Sequence, residues 1–258
     1  MSQPVDETSQ ARDTAQPDLR DFNPRDWAWQ PPALTPDYRT SVARSPRLAL
    51  VPLKNGIGEC SSPVFGPGDF GPQDNDLLQN YARPGESPIG ERIILYGRVL
   101  DENARPVPHT LVELWQANAG GRYRHVNDTY LAPIDPNFGG CGRTLTDAEG
   151  WYRFMTVKPG AYPWRNWSEH WRPAHIHLSL FGAGLAQRLI TQCYFEGDPL
   201  VAKCPIVNAV PGQAARDRLV AKLDLDASLP LDAIAYRFDI VLRGCDATRF
   251  ENRPEGDG

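Results

Sequence analysis

A chain of 258 residues with a formal net charge of −5 and a pI near 5.6 can bury a sizeable apolar core, but it carries no basic stripe for nucleic acid or an anionic membrane. Its cysteines, Cys60, Cys141, Cys193, Cys204 and Cys245, are scattered without a C-x-x-C pair, which argues against a disulfide framework or a thiolate zinc site and for reduced, mostly buried thiols. The N-terminal residues do not read as a secretory signal and no apolar run approaches membrane-spanning length, so a soluble, cytoplasmic protein with small-molecule or protein partners is expected.

Residues 1–20 are polar and acidic without periodicity, the pattern of a tail that stays disordered until something docks it. In "DFNPRDWAWQPPALTPDYRTS" tryptophans and prolines alternate. Proline lacks the amide donor and biases the preceding residue away from helix, so this stretch reads as an extended arm laying aromatics on a neighbouring surface. Gly and Pro dominate residues 55–90, which places arm and loops over 21–90 and the core over 91–258 of one domain.

Six runs rich in β-branched and aromatic residues follow: "ERIILYGRVL" (91–100), "TLVELWQA" (110–117), "GWYRFMTV" (150–157), "AHIHLSLF" (174–181), "QRLITQCYF" (187–195) and "AIAYRFDIVL" (233–242). Separated by turn signals, they predict a mainly β fold, an antiparallel β-sandwich with long irregular loops and few short helices. "QAARDRLVAKL" (213–223) has helical periodicity.

In "WRPAHIH" a strand would turn His175 and His177 to one face and Ile176 and Leu178 to the other, so both imidazoles can reach one ion. Two histidines need further ligands. A carboxylate would complete an Fe(II) site, and a third histidine or a carboxylate a zinc site, with Glu196, Asp198 and His125 as candidates and His109 and His170 in reserve. Two tyrosines compete with them: Tyr123 in "GGRYRH", between Arg122 and Arg124, and Tyr162 in "KPGAYPW". A phenol with a pKa near 10 ligates only an ion acidic enough to remove its proton, as ferric iron is, and flanking arginines would favour the phenolate.

"GGRYRH", "DPNFGGCGRTLTDAEGWYRF", "KPGAYPWRN", "WRPAHIH" and "LITQCYFEGDP", in this order, closely resemble the intradiol ring-cleaving dioxygenases, from about Trp27 to Glu251. The extended N-terminus resembles the β chains of their two-chain members rather than those that begin with a helical dimerisation region. The resemblance implies a mononuclear non-haem Fe(III) site with Tyr123, Tyr162, His175 and His177 as ligands beside a water-derived hydroxide, Tyr162 being the one that leaves when substrate binds. It further implies that Arg172 stabilises charge on the substrate ring, that Gln192 lies beside it, that Trp164 walls the pocket, and that Tyr38 in "TPDYRTS" lies near a substrate carboxylate.

The reaction so implied is cleavage of protocatechuate (3,4-dihydroxybenzoate) by O2, through a cyclic anhydride, to 3-carboxy-cis,cis-muconate, in the β-ketoadipate route of aromatic catabolism. Charge supports it: two phenolates and a hydroxide neutralise Fe(III), and a catechol dianion can replace the hydroxide and one phenolate, each accepting a substrate proton. The implied partner is a homologous α chain without the ligands, within a larger assembly of αβ units. Two departures from the family pattern are Ala161, where proline is common, and Cys141 in "NFGGCGR". The alternatives are an intradiol dioxygenase for another catechol, a non-enzymatic binding module, because "GRTLTDAEGWYRF" also resembles small β-sandwich recognition repeats, and a zinc or Fe(II) enzyme.

Overall fold

The computed structural model describes residues 31–45, 67–167, 169–182, 189–242 and 246–248. The expected tail over 1–20, parts of the arm, Cys60 and Cys245 lie outside them. Among the described residues eleven strands carry the fold: β1 (Arg92–Leu100), β2 (Leu111–Gln116), β3 (Cys141–Leu145), β4 (Trp151–Val157), β5 (Tyr162–Arg165), β6 (Glu169–Arg172), β7 (His175–Phe181), β8 (Leu189–Phe195), β9 (Val220–Leu229), β10 (Ala233–Arg237) and β11 (Ile240–Val241). The same residues also form three short α-helices, α1 (Arg39–Arg44), α2 (Pro205–Asn208) and α3 (Gln213–Asp217). No helix among the described residues is long and apolar enough to cross a membrane.

The six predicted runs all form strands, the last broken into β10 and β11. Strand order is β11-β1-β10-β9-β8-β7-β2-β3, with β4 on β1 and a separate β5–β6 hairpin. Strand β9 links two halves: its first residues pair with β8, its later ones with β10. Side chains from both halves, among them Ile93, Leu95 and Phe154 against Leu114, Ile176 and Leu178, share one apolar cluster, as a sandwich requires. Most pairings are antiparallel, but β1 runs parallel to β10 and β11, and β8 to β9. Apolar alternation marks a strand's buried face and is blind to the direction of its neighbour.

Three expectations need correction. The helix predicted over 213–223 ends at Asp217, and β9 begins at Val220. The same apolar residues serve both: Ala215 and Leu219 pack in the cluster around Tyr194 and Val207, while Leu219 and Ala221 carbonyls accept from the Tyr194 and Glu196 amides. The arm is not extended throughout, because Arg39–Arg44 wind into α1 directly after Tyr38. The core also begins before residue 91. Asn75 and Leu77 exchange main-chain hydrogen bonds with Met155, and Leu77 is wholly buried. Of the described cysteines, Cys193 and Cys204 are buried free thiols and Cys141 is an exposed one. The Cys141 thiol is pushed up, by burial first and then by the Glu113 carboxylate, so it is protonated at neutral pH.

Candidate metal centre

Strand β7 presents the histidines as the period-2 pattern predicts. Ile176 and Leu178 are wholly buried in the core, and the imidazoles of His175 and His177 stand together on the other face with centroids 5.0 Å apart. His175 is 2% exposed, and its Nδ1–H donates to the Pro173 carbonyl oxygen at 2.7 Å, which leaves Nε2 for a ligand. His177 is half-buried, and across the β2–β7 pair it lies opposite Trp115.

The tyrosines arrive on irregular backbone. Asn118, buried at the end of β2, accepts at Oδ1 from the Gly120 and Arg122 amides and donates from Nδ2 to the Pro133 carbonyl, curling the chain so that Tyr123 faces β7. The Asp128 carboxylate accepts from the Tyr123 amide at 2.8 Å and pins the turn. Tyr162 starts the β5–β6 hairpin, which meets this loop at two glycines. A Cβ on Gly121 (φ +82°) would stand 2.4 Å from the Ala161 carbonyl oxygen, and one on Gly160 would stand 2.4 Å from that of Ala119. The backbones of "GGRYRH" and "KPGAYPW" therefore touch, with Ala161 at the contact, and the rings of Tyr123 and Tyr162 come to 5.7 Å, edge to face. The Tyr162 hydroxyl is 3.4 Å from His175 Nε2. The Tyr123 hydroxyl is buried without a well-formed hydrogen bond.

The flanking arginines do not serve the phenol. Arg122 spends its guanidinium on the carbonyls of Asp128, Tyr130 and Ala132, and Arg124 on those of Asp135 and Phe138. Neighbours in sequence project to different sides, so both clasp the loop. The positive charge acting on the two phenols is that of Arg172, from β6. Arg172 is 5% exposed. It is not in a surface salt bridge: it donates to Gln192 Oε1 at 2.5 Å and to the Tyr194 hydroxyl at 3.3 Å, and that hydroxyl donates to Gln192 Oε1 at 2.9 Å. A buried cation held by neutral partners attracts an anion into the space beside it.

Trp164 lies under the Arg172 guanidinium, 5.8 Å from it, and Tyr38 packs edge-on against Trp164 with centroids 5.5 Å apart. The arm is tied there by Asn166, which accepts from the Arg39 amide at 2.7 Å and donates to the Asp37 carbonyl at 2.5 Å. A cleft of about 770 Å³ opens over Trp115, Tyr123, Tyr162, Trp164 and His177. Tyr38 lies one ring behind it, on a narrow crevice shared with Gln192 and Tyr194.

The carboxylates considered as ligands are occupied elsewhere. Glu196 holds Lys222 and the Leu223 amide, and Asp198 caps the Ala174 and Leu200 amides. Among the described residues no group of three His, Cys, Asp or Glu side chains is placed to hold a metal. His125 lines the cleft but is exposed, and its Nδ1 accepts from the Asn127 amide. His109 sits in a turn with φ of 54°, bonded to Thr146, and His170 opposes Trp164 in the hairpin.

A family model described as Dioxygenase matches residues 60–244, and one described as the N-terminal region of the protocatechuate 3,4-dioxygenase beta subunit matches residues 23–55. The chain is 55% identical over 230 residues to the protocatechuate 3,4-dioxygenase beta chain of Burkholderia cepacia, covering 89% of this chain and 97% of that one. The chain belongs to the intradiol dioxygenase family. Against the alpha chain of protocatechuate 3,4-dioxygenase from Pseudomonas putida it is 36% identical over 182 residues, 69% of this chain and 83% of that one. The crystal structure of 3-chlorocatechol 1,2-dioxygenase from Rhodococcus opacus superposes with a TM-score of 0.50 at 26% identity, covering 69% of each chain.

Membership in an intradiol family sets aside the recognition-module alternative and turns attention to the donors. Burial, then the Arg172 charge and the neighbouring imidazole, hold His175 well below its ordinary value; burial, then Arg172, bring His177 to about 3. Both rings are therefore neutral at neutral pH, the form able to ligate a metal. The phenols of Tyr123 and Tyr162 are pushed up by burial in the first place, with Arg172 working in the opposite direction. Without a cation they remain protonated. Two neutral imidazoles and two phenols, one with its hydroxyl buried and poorly satisfied, suit a hard, strongly acidic ion that can displace phenolic protons. Trp115, Asn118, Asp128 and Tyr194 were not singled out from the sequence, because a tryptophan or tyrosine in a strand reads as core and Asn or Asp in a loop reads as a turn.

Proposed function

We propose that this chain is the iron-bearing β chain of a protocatechuate 3,4-dioxygenase, with Fe(III) held by Tyr123, Tyr162, His175 and His177. The observation that carries this reading is the convergence of two imidazoles and two phenols at one cleft, while among the described residues no group of three His, Cys, Asp or Glu side chains is placed to hold a metal. Bound there, Fe(III) would supply Lewis acidity and a one-electron-accepting partner for a catecholate, activating the ring towards O2.

The remaining work falls to this chain's side chains. Both phenols line the cleft; Tyr162 turns outward to accept one catechol proton at its oxygen, and Tyr123, whose hydroxyl is buried, stays. Arg172 faces the space where negative charge moves onto the ring, and its fixed position costs no reorganisation during reaction. Gln192 and Tyr194 hold that guanidinium from behind. Trp164 provides the flat wall against which an aromatic ring lies, and Tyr38 behind it reaches toward the ring's carboxylate. The product is 3-carboxy-cis,cis-muconate. The partner is a homologous α chain, a reading supported by the likeness to the Pseudomonas putida alpha chain, and αβ units would build the larger assembly.

The test is colour followed by turnover. Iron-loaded protein should absorb visible light through tyrosinate-to-Fe(III) charge transfer, and Tyr123→Phe should weaken or shift that band. Co-purified with its α chain, it should consume O2 faster with protocatechuate than with catechol. An iron-replete but colourless preparation would sink the assignment.

A further inference from the structure

We propose that Trp115 is a positioning residue for the metal centre: stacked face to face on the His177 imidazole, its indole sets the plane of that ring and so the direction of its ligating nitrogen. The inference rests on the reading of Tyr123, Tyr162, His175 and His177 as iron ligands. The β2–β7 register sets Trp115 directly opposite His177, and the two rings lie 4.9 Å apart and 3° from parallel.

A strand fixes where an imidazole begins but not how it is turned, because rotation about the ring-bearing bond is broad and roughly two-fold. His175 has its orientation set by the hydrogen bond to the Pro173 carbonyl and by near-complete burial. His177 is more open, on the cleft wall. Turning its ring would tilt an edge into the indole, and the Tyr123 ring also stands near it, with ring centroids 6.3 Å apart and planes 56° from parallel. A parallel ring and a second, tilted one together narrow the range of angles open to it.

Cross-strand packing alone would explain an aromatic here, and the two roles separate by measurement. Packing shows in the unfolding midpoint of metal-free protein. Positioning shows in iron retention against a chelator and in the visible band of the iron-loaded αβ enzyme. Trp115→Tyr keeps a flat face; Trp115→Leu and Trp115→Met fill the space without one, and whichever of these folds serves the comparison. We expect Leu or Met to weaken iron retention by about 10–100-fold, the range seen when a side chain that orients a metal ligand is lost, and to shift the band. Tyr should stay within about threefold of wild type, since it restores the stacking face. A Leu or Met variant that retains iron and band position like wild type overturns the proposal, and so does a Tyr variant that loses iron as fully as Leu or Met. Wild-type protein that takes up iron without colour would instead overturn the ligand reading beneath it.

Discussion

Strand β7 and the loop between β2 and β3 each bring donors to the same cleft by different means. In β7 the alternation that buries Ile176 and Leu178 necessarily turns His175 and His177 the other way, so the core itself aims the imidazoles. The loop has no such engine: Val126 and Leu131 are 92% and 93% exposed, and Tyr123 is aimed by Asn118, Asp128 and the contacts at Gly121 and Gly160. The difference teaches that the histidine half of the site shares the stability of the fold, whereas the tyrosine half depends on a few polar contacts that can fail alone.

Truncating the strand's core side should have the largest effect. Ile176→Ala is expected to cost about 2–5 kcal/mol in chemical unfolding, and to lower iron uptake along with stability. Iron binding that survives such a loss intact would show that the strand does not aim the histidines through the core.

Acid should act next, again on β7. The folded values of His175 and His177 are depressed, to about 3 for His177, while an unfolded histidine titrates near 6.5. Above that value both states are neutral and pH has no effect through these groups. As pH falls below it, the unfolded chain binds protons that the folded chain refuses, so metal-free protein should lose stability by up to about 1.4 kcal/mol per pH unit for each ring, continuing toward about pH 3 for His177. Arg172 faces both imidazoles and adds to the refusal. A flat unfolding midpoint between pH 7 and 5 would contradict their burial as neutral rings.

Asn118→Ala tests the loop. It leaves the Gly120 and Arg122 amides without their acceptor, a cost of about 0.5–1.5 kcal/mol for each part-buried hydrogen bond lost. The tyrosinate band should suffer more than the unfolding midpoint, the reverse of Ile176→Ala. The smallest effect is expected at Tyr38→Phe, one ring behind the cleft: colour unchanged, and a Michaelis constant for protocatechuate raised by a few-fold, about the worth of one hydrogen bond. An unchanged constant would reduce Tyr38 to a packing residue.

Much of this was legible in the chain. Period-2 runs located six strands because a buried strand face must be apolar, and the H-x-H of β7 declared its own geometry. The hairpin of β5 and β6 carries no strand signal, since Pro163 and short length disguise it, and the start of β9 reads as helix because "AARDRLVAKL" fits either period. Arg122 and Arg124 look like partners of Tyr123 on adjacency alone; only the folded loop shows both turned to carbonyls, with Arg172, far along the chain, as the cation that faces the phenols.

The sequence by itself determined the strands, the residue types able to hold a ferric ion, and, through the order of its motifs, the family. Those properties follow from local chemistry: side-chain period, ligand hardness and turn residues. Tertiary structure decided which cation meets the phenols, that the carboxylates near β8 are engaged elsewhere, and that an indole from β2 lies flat on His177. These depend on strand register and on close backbone approach between segments distant in the chain, quantities that no single stretch of residues encodes.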